Sequence, residues 1–223
     1  MKARKILAMV AALALTAALA IGGTLAYLTS QDTVQNTFTV GKVSINLDEA
    51  KVKADGTYAT DENNRTEEGN KDYKLMPGRT YIKDPTVTVL DKSEPSYVRM
   101  IVKVTVGDQF DTQFPNGMKL EDIVGGQSSD WTLADKGRSG NVFTYEYRHN
   151  GVVSGLNGDN KLPPLFTSLT VPGTLSNDQL NALDNLDITI TAQAIQADGF
   201  VDTKDGDQVI VTAEQNAWNA FGA

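Results

Sequence analysis

Histidine occurs once in this chain, as His149 in the run Tyr147-Arg148-His149-Asn150-Gly151, and cysteine does not occur at all. A general base needs a positioned partner, and a lone His beside Asn-Gly at the end of a strand pattern reads as a turn residue. With one His there is no H-E-x-x-H, so two imidazoles cannot share a helical face around a zinc ion. A Ser-His-Asp triad would have to use the same His149, and no G-x-S-x-G occurs. Carboxylates offer one weak candidate. Asp202, Asp205 and Asp207 surround Gly206 in a short loop with oxygen ligands of the type calcium takes, but the spacing departs from D-x-[DN]-x-[DN]-G and no Glu stands at the twelfth position. A solvated loop is the preferred reading there. Asp61-Glu62 and Glu67-Glu68 sit in a polar stretch with nothing to fix their separation, as glycoside chemistry requires. Phosphate cradles are missing as well. The expectation is a protein without catalytic residues, cofactor or metal, Asp202, Asp205 and Asp207 being the weak exception.

The elements around these residues are strands. Phe38 and Val40, then Val43, Ile45 and Leu47, alternate with polar neighbours, as do Val87 and Val89, the series Val98 to Val106, Val142 to Tyr147, Leu165 to Val171, and Ile188 to Ala194. Pro77-Gly78, Pro95 and Pro172-Gly173 supply turns between them. This predicts an all-β, antiparallel domain with one face of each sheet buried. Two short helices are legible from their starts. Ser176 with Gln179, and Thr212 with Gln215, match the reciprocal capping pattern, and the second helix would pack Ala217, Trp218 and Phe221 onto the sheet. A third helix, with a poor pattern, would span 117–124. Residues 53–72 are rich in Asp, Glu, Asn and Gly, with few groups to anchor them, and read as a mobile acidic loop; 138–140 and 154–161 look like shorter insertions.

Lys2, Arg4 and Lys5 precede an uncharged, largely apolar run, Ile6 to Ile21, and Thr24-Leu25-Ala26 offers the small residues a signal peptidase reads. Residues 1–26 are therefore expected to be a signal peptide, cut between Ala26 and Tyr27, leaving one domain, 27–223. The run is short for a membrane span, and a retained anchor is the alternative. Without residues 1–26 the net charge moves from −8 to −11. An acidic surface repels nucleic acid and anionic lipid heads, so no nucleic-acid partner is expected, and membrane contact only through the uncut signal segment. An exported chain without cysteine favours a Gram-positive kind of secretion.

The basic head, the Ala/Leu run, Gly22-Gly23-Thr24-Leu25-Ala26 and the following Asn36-Thr37-Phe38-Thr39-Val40-Gly41 resemble the TasA and camelysin family, exported by SipW-type signal peptidase. Leu75-Met76-Pro77-Gly78 and the stretch Ile188 to Phe200 are similar to later parts of that family. The resemblance implies a jelly-roll-like β-sandwich, a SipW-type peptidase as processing partner, and self-association into extracellular biofilm-matrix or surface fibres. Camelysin-type members have also been described as metallopeptidases, an activity for which this sequence holds no zinc motif.

The leading expectation is a secreted, non-catalytic fibre subunit. Leu28, Val34, Phe38 and Val40 share one parity, so an extended N-terminal segment would carry an apolar face able to add to an open sheet edge of another copy, the donor-strand mode. A frayed terminus before Asn36 is the plainer reading. Alternatives are a monomeric surface binding module or adhesin using Trp131, Tyr145 and Tyr147, and a camelysin-like secreted metallopeptidase that would depend on His149.

Overall fold

The structure is a computed structural model that describes residues 42–70, 73–183 and 186–221. The strands are β1 (Ile45–Ala50), β2 (Arg65–Thr66), β3 (Thr80–Ile82), β4 (Thr86–Val89), β5 (Ser96–Thr105), β6 (Val124–Gly125), β7 (Trp131–Ser139), β8 (Val142–His149), β9 (Asn160–Lys161), β10 (Ser168–Thr170), β11 (Asp187–Gln196), β12 (Thr203–Asp205) and β13 (Gln208–Val211). Short helices are α1 (Phe110–Gln113), α2 (Leu120–Ile123), α3 (Asn177–Ala182) and α4 (Ala213–Ala220). None among the described residues is long and apolar enough to cross a membrane.

One layer is the sheet β11-β5-β8-β7; facing it are β2-β1-β4-β9 and the smaller β3-β10-β6, while β12 and β13 form a separate hairpin. Every strand pairing is antiparallel; an isolated bridge, Lys42 to Ser93, is parallel. The fold is thus the all-β sandwich that the period-two patterns predict.

β5 shows how the sequence dictates this. Its residues alternate between the core, where Val98, Met100 and Val102 are fully buried, and an outer face carrying Arg99, Ile101 and Lys103. Each such burial stabilises the fold by about 1.5–3 kcal/mol, and a one-residue slip would send all of them outward. Across the strand Met100 faces Tyr147 on β8 and Ala192 on β11. From the opposite layer Val87 and Val89 complete the same core with Phe110, Leu120, Leu165 and Phe166.

Both capped helices start where expected. Ser176 Oγ accepts from the Gln179 N–H at 3.2 Å, and Gln179 Oε1 accepts from the Ser176 N–H at 3.0 Å. At α4, Thr212 Oγ1 accepts from the Gln215 N–H, but the Gln215 carboxamide turns instead to Arg148 and Asn219. Ala217 and Trp218 are buried, and Arg99 lies over the Trp218 ring at 4.4 Å and the Phe221 ring at 5.0 Å. α4 therefore covers part of the sheet's outer face through a cation–π contact.

Several expectations need correction. Beside the two capped helices stand two single turns, α1 and α2, of which α1 is not expected from the sequence; the helix expected over 117–124 narrows to Leu120–Ile123. Residues 138–139 end β7, and the insertion reduces to the two-residue turn Gly140-Asn141, with Gly140 at φ 55°. The stretch 53–70 does not lack anchors: Arg65 and Thr66 pair with β1, and Arg65 reaches three acceptor side chains. Trp131, Tyr145 and Tyr147 are core residues, 3%, 5% and 2% exposed, so they offer no surface for a ligand.

Candidate functional site

The long outer edge of β11 lies beside an open cleft. β11 pairs with β5 along all ten of its residues and hydrogen-bonds no other strand among the described residues, although β1 approaches it. Its inward side chains Ile188, Ile190, Ala192 and Ala194 are only partly buried. A cleft of about 700 Å³ adjoins its start, walled by Leu169, Val171, Leu180, Leu183, Leu186 and Ile188, with Lys74, Asn181 and Asp187 at its lining. α3 shapes this wall: its cap fixes the entry of the chain, and Ala182 and Leu183 turn toward the core. An unpaired edge presents N–H and C=O groups to any extended segment, and apolar pockets beside it suit alternate side chains.

The cleft also touches a buried polar cluster. Glu49, at the end of β1, accepts on Oε2 from Lys83 Nζ at 2.5 Å. Its Oε1 accepts from the Asn70 N–H at 2.7 Å and from Asn70 Nδ2 at 2.8 Å. Asn70 Oδ1 accepts from the Val52 N–H at 2.8 Å, and its Nδ2 also donates to the Ala50 carbonyl at 2.7 Å. Burial, and then the adjacent Glu49 carboxylate, push the Tyr73 phenol far above its ordinary range; its ring meets Tyr81 edge-on at 5.8 Å. Alongside, Arg65 donates to Asp48 Oδ1 at 2.6 Å, Asp84 Oδ2 at 2.7 Å and Thr86 Oγ1 at 2.9 Å. Burial opposes the Arg65 charge, but its hydrogen bonds to the Asp84 and Asp48 carboxylates outweigh it and the guanidinium is held more firmly protonated. Sequence reasoning missed this cluster, because its members lie far apart in the chain and match no motif.

Ala26, Tyr27, Leu28, Val34, Phe38 and Val40 lie outside the described residues. His149 ends β8, its ring edge-on to Trp131 at 5.2 Å, with Nδ1 buried and without a hydrogen-bond partner. The three aspartates of the weak calcium candidate are not gathered around a common point. Asp202 Oδ1 accepts from the Ala213 N–H at the start of α4, while Asp205 and Asp207 flank the exposed β12–β13 turn at Gly206. No group of three or more His, Asp or Glu residues able to hold a metal ion occurs among the described residues.

Among the described residues the structure is thus an antiparallel sandwich whose outer strand β11 is hydrogen-bonded on one side, with an apolar cleft beside its start. The family model for camelysin metallo-endopeptidase matches residues 2–55, the family that the N-terminal motifs resemble; the match ends just after β1. No curated protein and no solved structure matches the chain. The metal implied by that family's name finds no fit in the described residues. A catalytic zinc needs three protein ligands and an open position, whereas the single His149 faces Trp131 and has no carboxylate partner at its buried nitrogen.

Proposed function

We propose that this protein is a secreted structural subunit without catalysis of its own, assembling by addition of the N-terminal segment of one copy to the β11 edge of the next. The observation that carries the reading is that edge: ten residues, regular, flanked by an apolar cleft. In the segment 27–40, Leu28, Val34, Phe38 and Val40 have the parity to present one apolar face, and head-to-tail addition that does not close on itself gives open filaments. An uncut signal segment would keep the added strand tethered, so processing by a SipW-type signal peptidase would time assembly. The place of action on this reading is the extracellular matrix or cell surface of a Gram-positive bacterium. Secreted protein imaged by electron microscopy is expected to form filaments, and deletion of residues 27–34 to leave a folded monomer that cannot extend them. Filaments unchanged in that deletion would sink the strand-addition reading.

The family match favours a second reading, a secreted metallopeptidase. Cleavage of a generic protein substrate, abolished both by chelator and by His149→Ala, would establish it in place of the structural role.

A further inference from the structure

We propose that Lys83 and Asn70 are joined by an intramolecular isopeptide bond, formed by the protein itself with Glu49 moving the protons. Nucleophile, electrophile and base meet on one carboxylate. Lys83 Nζ lies on Oε2 at 2.5 Å and Asn70 Nδ2 on Oε1 at 2.8 Å. Glu49 and Lys83 are 5% and 7% exposed, so water does not compete for either. The Asn70 carboxamide cannot turn away, since Oδ1 is held by the Val52 N–H and Nδ2 by the Ala50 carbonyl. Gly69, at φ 74°, lets the backbone bring the Asn70 N–H onto the same carboxylate.

The chemistry follows from these contacts. The Glu49 carboxylate takes a proton from the Lys83 ammonium, and the freed lone pair on Nζ attacks Cγ of Asn70. The carbonyl electron pair moves to Oδ1, where the Val52 N–H already donates and stabilises the developing oxyanion. Glu49 delivers its proton to Nδ2 and removes the second one from Nζ. The Cγ–Nδ2 bond then breaks, its electron pair leaving with nitrogen as ammonia, and the carbonyl re-forms on Oδ1. The Lys83 ammonium, the Glu49 carboxylate and one primary amide become one secondary amide, a protonated Glu49 and ammonia, and no oxidant or co-reactant is consumed. Holding both reactants on one carboxylate supplies the proximity that makes attack on an unactivated amide feasible.

The bond would also resolve an energetic cost. A buried ammonium–carboxylate pair carries a desolvation penalty that its attraction offsets only in part, and amide formation removes both charges, leaving Glu49 as the neutral acid. It would tie the turn after β2 to the β3–β4 connection in a chain that has no cysteine for a disulfide, giving an exported protein a staple indifferent to redox conditions.

Mass spectrometry of the full chain tests this. The expected result is a deficit of one ammonia against the sequence mass, a branched proteolytic peptide joining the segments that contain Asn70 and Lys83, and no tryptic cleavage after Lys83. Asn70→Ala and Glu49→Ala should each restore the full mass and the ordinary Lys83 peptides. A wild-type protein of full mass with an unlinked Lys83 peptide overturns the proposal, whether or not the variants fold. So does a deficit that maps to Asn116-Gly117, Asn150-Gly151 or Asn157-Gly158, where succinimide formation also expels ammonia.

Discussion

Replacing Arg65 by Ala removes the cation that, among the described residues, pairs with both Asp48 and Asp84 in the stretch linking β2 to β1 and β4. The guanidinium makes close hydrogen bonds to both carboxylates and to Thr86, and longer ones to the Asp84 and Asp48 carbonyls at 3.1 and 3.3 Å. Net values of about 1.5–3 kcal/mol per charged hydrogen bond would give about 3–6 kcal/mol for the two carboxylates, were they additive. They are not fully desolvated. Arg65 keeps 14% of its side-chain surface, Asp48 18% and Asp84 15%, so water can reach the aspartates once the arginine is gone. The lower end of the cost of breaking a buried pair, about 3 kcal/mol, is therefore the expected loss. Against a typical total of about 5–15 kcal/mol this is a large fraction. Urea unfolding should show a lower midpoint at unchanged slope, with hydrogen-exchange protection lost first at Lys51 and Ala59, whose amides bond within this stretch. Arg65→Lys should recover less than half, because an ammonium cannot span acceptors on two sides. A loss below about 1 kcal/mol, the range of an exposed ion pair, would refute the reasoning and make residues 53–70 the loosely attached loop that their composition suggests.

Burial, followed by the charges of Glu121 and Tyr145, pushes the Tyr147 phenol from 10 up to about 12. The unfolded chain then releases this proton first, so stability is complete below about pH 10 and falls as pH rises toward about 12; Tyr147→Phe should flatten that fall in denaturation midpoints, and an unchanged profile would contradict it. A Cβ on Gly155 would stand 1.9 Å from the Leu90 carbonyl oxygen, whereas one on Gly137 meets nothing within 4 Å. Gly155→Ala should accordingly cost about 3 kcal/mol in thermal or chemical unfolding, and Gly137→Ala should be neutral or stabilise by about 0.5 kcal/mol. Trp218→Ala removes the ring beneath Arg99 and one of the two buried side chains of α4; limited proteolysis should cut within 213–220 while the sheet keeps its cooperative unfolding, and an equally protected helix would show that Trp218 does not hold it.

The long strands were legible because burial imposed alternation on them. Val98 to Val104 on β5 and Ile188 to Ala194 on β11 each show apolar residues at every second position, and the structure pairs them across a shared core. β7 was not legible beyond Trp131, since Ala134 to Ser139 are exposed and no face of that strand end selects apolar residues. β2, β6 and β9, two residues each, exist through hydrogen bonds to partners distant in the chain, and a local pattern carries no trace of them. Ser176 and Thr212 announced their helices because a cap is a local device; the single turns α1 and α2 lack comparable starts, and neither begins with a side-chain cap of the Ser or Thr kind.

The buried cluster eluded sequence reasoning for a different reason. Glu49 meets Asn70 across 21 positions and Lys83 across 34, so no spacing marks them, and composition alone gives polar residues in 53–70 to the solvent. What reverses that reading is the need to satisfy each group once it is buried. The end of β1 carries Asp48 and Glu49 side by side, so one of the two must face inward on a strand with alternating sides. A carboxylate taken out of water demands cations and donors: Lys83 and Asn70 answer Glu49, and Arg65 answers Asp48 on the other side of the strand. Polar residues in that segment are thus the partners of charges that the strand forces into the interior. The same logic separates the two clusters of acids: Asp205 and Asp207, on an exposed two-stranded hairpin, face no such demand, and Asp202 turns to the Ala213 N–H instead.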